Sequence, residues 1–195
     1  MAGNTKLLML VGAATPPGRL AAAVNFAAET AVTLADDIAV DVLNLAETLV
    51  DICDGSALEA YSATTRDAVG RLTSAGAVLI AAPVYRASYP GVLKNLLDIT
   101  PVEALHNKPV GILAMGGSPH HYLAVDTQLR GVLAWFGALV SPTSVYITGN
   151  DFKDGQLASE GARADVTALT DTLVLLARQL DPAMLGPKPL AAKFT

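Results

Sequence analysis

Residues 77–82 are apolar without interruption and run straight into Pro83. A strand of that kind has no polar side to show water, so it needs cover on both faces. Short apolar runs recur along the chain. They are residues 6–11 before Gly12, 38–43 with Asp41 inside, 109–115 before Gly116 and Gly117, and 145–148. Between them lie stretches with apolar spacing near 3.6, which predict helices. These are residues 20–33, 65–74, the segment from Tyr89-Pro90-Gly91 through Ile99, 121–136 stopped by Gly137, and 162–180. Pro90 suits a first-turn position. The alternation predicts an α/β fold, a doubly wound five-stranded parallel sheet with helices on both faces. Right-handed crossovers leave few topologies. In strand order 2-1-3-4-5, three loops at carboxyl ends of strands become neighbours at the switch point, where open sheets bind ligands. Spacing alone is compatible with other doubly wound orders.

The chain has 195 residues, which suits one domain over residues 1–181 and an extended tail over 182–195, where Pro182, Pro187 and Pro189 interrupt any periodic pattern. Net charge is −5, the sequence pI is about 5.0, and no basic run occurs, which argues against a nucleic-acid partner. Apolar stretches of about six residues fall far short of the roughly 20 needed to span a bilayer, so no membrane role is expected. The first residues lack the shape of a signal peptide. Cys53 is the only cysteine, which excludes a disulfide framework and a cysteine metal cluster. A cytoplasmic protein is the expectation.

Each of the three loops carries a candidate site and a plainer alternative. The first, residues 12–19, joins a strand to a helix, and its amides, with Thr15, Gly18 and Arg19, suit a phosphate. It matches neither GxGxxG nor a Walker A loop, and it also reads as a simple Gly/Pro turn. The second holds Pro83, Val84, Tyr85, Arg86, Ala87, Ser88 and Tyr89. Tyrosine offers a flat face and a hydroxyl to a conjugated ring, with loop amides free for its polar edge. Two surface tyrosines closing the loop over the core, or a subunit contact, explain the same residues. Only 5% of the chain is aromatic, so tyrosines gathered at one strand end are notable.

The third loop is Met115-Gly116-Gly117-Ser118-Pro119-His120-His121. Paired glycines allow an approach that a side chain would block. Adjacent histidines with no carboxylate or thiol at ligand spacing do not make a metal site, so His121 reads as a helix-start residue or a contact to a ligand edge. Nucleophilic catalysis has little support: Ser118 is not in Gly-x-Ser-x-Gly, and Cys53 lies in the acidic stretch 51–54, where a thiolate is disfavoured. Trp135, at a helix end, is expected in core or subunit packing, and Lys94 with Asp98 as an exposed i,i+4 pair. No catalytic side chain and no metal ligand is expected. Hydride transfer needs no protein nucleophile, because a cofactor carries the chemistry, and glycines, amides, tyrosines and arginine suit a flavin.

Two blocks carry a resemblance. Ala82-Pro-Val-Tyr-Arg-Ala-Ser-Tyr-Pro-Gly-Val-Leu-Lys-Asn-Leu-Leu-Asp98 and Ala114-Met-Gly-Gly-Ser-Pro-His-His-Tyr-Leu-Ala-Val-Asp-Thr-Gln-Leu-Arg130 resemble the NAD(P)H-dependent FMN reductase family of flavodoxin-like proteins. The branch that supplies reduced flavin to two-component alkanesulfonate monooxygenases is the most similar. The resemblance implies the flavodoxin-like strand order, FMN and NAD(P)H as cofactors, and a partner monooxygenase. It also implies a homodimer or homotetramer, with the helices over residues 89–98 and 124–135 at or near subunit contacts. It places the flavin ring at Pro83, Val84, Tyr85, Arg86, Ala87 and Ser88, faced by Gly116, Gly117, Ser118 and His121, and the FMN phosphate at Thr15, Gly18 and Arg19. Two departures stand out. Hydroxyl positions of the family's phosphate loop are Ala13, Leu20 and Ala21 here, which implies weak FMN binding or a preference for flavin without phosphate. Thr127 occupies a position where the sulfonate branch can carry a tyrosine inserted in a π-type turn. An FMN-containing quinone, azo or metal-ion reductase and a non-catalytic flavin-binding electron carrier remain alternatives. A 2′-phosphate would want a basic neighbour, for which Arg86 is one candidate.

Overall fold

The structure is a computed structural model and describes residues 5–16, 18–181 and 185–187. The apolar runs become parallel strands: β1 (Thr5–Val11), β2 (Ile38–Asn44), β3 (Ala77–Pro83) and β4 (Pro109–Gly116). Their order is β2-β1-β3-β4, continued beside β4 by two short segments, β5 (Leu139–Val140) and β6 (Val145–Thr148). This is the 2-1-3-4-5 order, with its fifth position filled in two pieces.

The split has a local cause. Residues 141–144 read Ser-Pro-Thr-Ser, and Pro142 has no N–H for a ladder. Arg130 takes the freed carbonyls, donating from Nη2 to Ser141 O at 2.9 Å and Pro142 O at 3.2 Å, while its Nε bonds Asp126 Oδ2 at 2.8 Å. Burial pushes the Asp126 carboxyl up, but the bond and charge of Arg130 outweigh it and hold that carboxyl below its ordinary value.

Alternate residues of each strand feed opposite cores, as a strand's period of two requires. Leu8, Leu10, Val78, Ile80, Val110 and Ile112 pack under α2 (Ala63–Ser74), α3 (Gly91–Ile99) and α4 (Ala124–Phe136). Leu7, Met9, Leu79, Leu113, Val145 and Ile147 pack under α1 (Arg19–Leu34) and α5 (Glu160–Gln179). The Ser62 side chain caps α2 by accepting from Thr65 N, and Ser159 caps α5 by accepting from Ala162 N. Ahead of α2, the stretch after β2 holds one 3₁₀ turn, Leu58–Ala60. It is pinned by the Asp51 carboxylate, which accepts from Ser62 N and Thr65 Oγ1. Asn95 clamps the same stretch, accepting from Cys53 N and donating to Asp51 O.

Several boundaries differ from expectation. The helix expected from His121 begins at Ala124; Pro119–His121 forms a separate 3₁₀ turn that leaves Tyr122 and Leu123 exposed. Pro90 is the N-cap of α3, in extended conformation, and not its first helical residue. Between β6 and α5 the chain forms a two-stranded hairpin, β7 (Phe152–Lys153) with β8 (Gln156–Leu157). Trp135 is not in the core: it is 56% exposed on α4. Lys94 and Asp98 form the expected exposed pair. Thr127 lies in a regular α-helical turn, its Oγ1 donating to Leu123 O. Most of the expected tail, from Pro182, lies outside the described residues. Within its described part, the Leu185 carbonyl accepts from Asn107 Nδ2. No helix of the described residues is long and apolar enough to cross a membrane.

Candidate functional site

The carboxyl ends of β2, β1, β3 and β4 stand side by side, and the chain leaves β1 and β3 toward opposite faces of the sheet. That divergence opens a cleft of about 420 Å³. Its floor and walls include Val11, Ala13, Leu20, Pro83, Tyr85 and Met115, and its polar end holds Thr15, Gly18, Arg19 and Asn44. Gly12, just after β1, lies so close to α3 that a Cβ there would stand 2.9 Å from Leu93 Cδ2.

The polar end is the start of α1. No side chain caps this helix, and its first turn has no carboxylate. The internal ladder begins with Ala22 N to Gly18 O, so the amides of Arg19, Leu20 and Ala21 have no intrahelical acceptor. Those amides and the helix dipole favour an anion. The Arg19 guanidinium lies against the Gly149 backbone, and a Cβ at Gly149 would meet its Nη1 at 2.7 Å. Pro17, part of the expected phosphate loop, lies outside the described residues. Ala13 and Leu20 are buried and Ala21 is partly so, and all three line the cleft with carbon where hydroxyls were looked for.

The loop after β3 is a tight two-residue turn. Tyr85 N donates to Ser88 O at 2.7 Å and Ser88 N to Tyr85 O at 3.0 Å. The central residues, Arg86 (φ 50°) and Ala87 (φ 62°), are both left-handed, a conformation that costs an L-residue roughly 1–2 kcal/mol. Val84 N bonds Met115 O at 2.8 Å and ties the turn to the end of β4. The turn also walls a second hollow of about 450 Å³, completed by Val84, Gly117, Ser118 and His121.

The structure thus divides the expected residues between two hollows that share the 83–87 loop as a wall. Thr15, Gly18, Arg19, Pro83 and Tyr85 line the first; Val84, Arg86, Ala87, Gly117, Ser118 and His121 line the second. Ser88 lines neither and closes the turn. Gly116 lines neither as well. A Cβ on it would fall 1.8 Å from Tyr146 Oη, so its close approach is to that ring. Tyr146 Oη donates to Ser118 O at 2.6 Å and holds the third loop in place. Burial pushes the Tyr146 hydroxyl above its ordinary value. Asn44 and Tyr146 were not anticipated, and Met115 was named only as part of the third loop. Asn44 had one signal, as the last residue of the strand beside β1.

Charge completes the site. Among the residues lining both hollows there are Arg19, Arg86 and His121 but no carboxylate, in a chain of net charge −5. Among the described residues, no three of His, Cys, Asp and Glu come together as metal ligands would.

An open parallel sheet of order 2-1-3-4-5, with an anion-favouring helix start and a ring-sized hollow at its switch point, defines a flavodoxin-like α/β protein. A profile described as NADPH-dependent FMN reductase matches residues 5–153, and the chain belongs to that family. A Pseudomonas fluorescens protein described as NADH-dependent FMN reductase SfnF is 44% identical over 95 residues, 49% of this chain and 51% of that one. A Pseudomonas aeruginosa protein described as FMN reductase (NADPH) is 41% identical over 95 residues, with the same coverage of 49% and 51%. The chain therefore spans about half the length of these curated relatives. Among solved structures, the apo form of NADH:FMN oxidoreductase (EMOB) superposes with TM-score 0.72 at 26% identity, covering 88% of this chain and 89% of that one.

Proposed function

We propose that the chain is an NAD(P)H-dependent FMN reductase that takes flavin as a transient substrate and passes reduced flavin to a partner monooxygenase. The observation that carries the reading is a switch-point cleft with apolar walls, an uncapped helix start beside Arg19, and no carboxylate in its lining. These residues fit FMN. The α1 amides, Thr15 and Arg19 would hold the phosphate, and Pro83, Tyr85 and the 83–87 amides would orient the ring. When bound, the flavin supplies the chemistry, accepting a hydride from the nicotinamide. The chain's residues position both reactants; none needs to exchange a proton. Carbon at Ala13, Leu20 and Ala21 removes phosphate donors, each charge-assisted bond being worth roughly 1.5–3 kcal/mol. That loss favours exchange of flavin over retention. The names of the relatives support the activity.

We place self-association on α3 and α4, where Trp135 stands exposed beside the Lys94–Asp98 pair. A monomer by light scattering would contradict that placement. Steady-state oxidation of NADH and NADPH, with FMN, FAD or riboflavin added, tests the main reading. Turnover that depends on added flavin is expected; none with any of the three would sink it.

A further inference from the structure

The chain has seven arginines, all among the described residues. Arg71, Arg130 and Arg178 are paired with Asp41, Asp126 and Asp37. Arg66 donates to the Glu59 and Tyr61 carbonyls, and Arg163 lies over the Phe26 ring and donates to Leu157 O. The two that no hydrogen bond, ion pair or ring contact holds are Arg19 and Arg86, and both line the site. Arg19, beside the helix start, matches the single phosphate of FMN. Arg86 stands at the opposite hollow, where the oxidised flavin ring has no charge to meet it. A second unpaired cation, in a site free of carboxylates, calls for a second anionic reactant. NAD(P)H is that reactant, with a pyrophosphate in both forms and a 2′-phosphate in one.

We propose that Arg86, with His121 beside it in the second hollow, binds a phosphate of the nicotinamide dinucleotide and so sets the preference between NADPH and NADH. This rests on the flavin-reductase reading. The similar Pseudomonas proteins carry names that divide on the nicotinamide, NADH for one and NADPH for the other, so identity to them does not decide it. The turn is built for presentation. Its closed Tyr85–Ser88 pair forces two left-handed residues at the tip and projects the Arg86 side chain into solvent at the rim of the hollow. Strain of this kind persists where surrounding structure over-determines it, often at ligand clamps.

The test is Arg86→Ala, a substitution the turn should accept because Ala87 already holds the same left-handed conformation. Binding of 2′,5′-ADP and of ADP to the purified protein is read by calorimetry, without turnover. Loss of one charge-assisted phosphate contact weakens binding roughly ten- to a hundredfold. Weakening of 2′,5′-ADP alone is the expected result and assigns Arg86 to the 2′-phosphate, the group that separates NADPH from NADH; equal weakening of both, or weakening of ADP alone, would put it on phosphates that the two forms share and overturn its part in the preference; Arg86→Lys should retain part of the affinity. In the steady state, KM for the dinucleotide should rise while kcat holds. Unchanged affinity for both compounds, or no binding of either by the wild type, overturns the proposal. So does a fall in kcat or a shifted flavin potential at constant KM, which would place Arg86 against the reduced ring. Fragment binding without any flavin-dependent turnover would instead sink the enzyme reading and leave the phosphate site standing.

Discussion

Gly116→Ala should damage the site from outside its lining. The new Cβ would lie 1.8 Å from Tyr146 Oη and 2.7 Å from its Cζ. Non-bonded heavy atoms settle at roughly 3.5 Å or more, so the ring must withdraw by roughly 1.5 Å, because Gly116 is fixed at the end of β4, a strand paired on both sides by β3 and β6. Withdrawal breaks the bond from Tyr146 Oη to Ser118 O, worth about 1 kcal/mol. Forcing the ring off its seat adds roughly 1–3 kcal/mol. Replacing a strand glycine by alanine returns about 0.5–1 kcal/mol. The net loss is about 1–3 kcal/mol, which lowers the melting temperature of a domain this size by roughly 3–10 °C. Ser118 lines the second hollow, so flavin and dinucleotide affinity should fall with it. Thermal melts and FMN titration of Gly116→Ala, Tyr146→Ala and the double variant form a thermodynamic cycle. The double variant should be less damaged than the sum of its parts. A Gly116→Ala protein that melts and binds FMN like wild type would refute the reasoning, as would strictly additive losses.

Ala13→Ser restores a hydroxyl to the wall beside the α1 start and should tighten FMN binding roughly tenfold; riboflavin, without the phosphate, should bind as before by fluorescence titration. Equal gains for both flavins would show that the hydroxyl does not meet the phosphate. Lys108 is buried and donates to the Leu72 and Thr73 carbonyls at the end of α2, and burial pulls its ammonium down to about 8 from 10.5. Below the lower value both states carry the proton. Between the two values the unfolded chain binds a proton that the folded chain does not, so this group makes stability rise with pH across that window. In urea denaturation the wild type should gain on Lys108→Met by about 1–2 kcal/mol between pH 7.5 and 9.5; parallel pH profiles would contradict this. At the acid end, Arg71 bonded to Asp41 and Arg130 bonded to Asp126 hold those carboxyls below the ordinary 3.8. The stability they contribute is present above 3.8 and lost as pH falls through their folded values. Urea midpoints of Arg71→Met and Arg130→Met should therefore fall less than the wild type's on acidification below pH 4.

The apolar runs made the fold legible because β1, β3 and β4 are buried on both faces and so carry no competing polar pattern, whereas β2, at the sheet edge, keeps Asp41 and an exposed Val42. The fifth strand was half hidden. Leu139–Val140 is two residues long, and the break after it depends on Arg130 reaching from α4, a contact that no local pattern encodes. The start of α4 was misplaced because apolar spacing continues through Tyr122 and Leu123, while Pro119 sets up a 3₁₀ turn that ends before the helix begins. At the site, the residues on strand-end loops were readable from Gly, Pro and Tyr at the ends of apolar runs. Tyr146 was not, because its role depends on the register that sets β6 beside β4, with Tyr146 opposite Ala114 and next to Gly116. The glycine pair was visible; the ring that requires the first of them lay thirty residues away.

On the proposed reading, flavin passes through this site and does not reside in it. An absorbance spectrum of the purified protein, titrated with FMN, tests it most directly. The purified protein should be colourless, gain a perturbed flavin spectrum saturably, lose it on dialysis, and bind FMN more weakly than its Ala13→Ser variant. A yellow protein that keeps stoichiometric FMN through dialysis, or one whose addition leaves the FMN spectrum unchanged at any concentration, would contradict it.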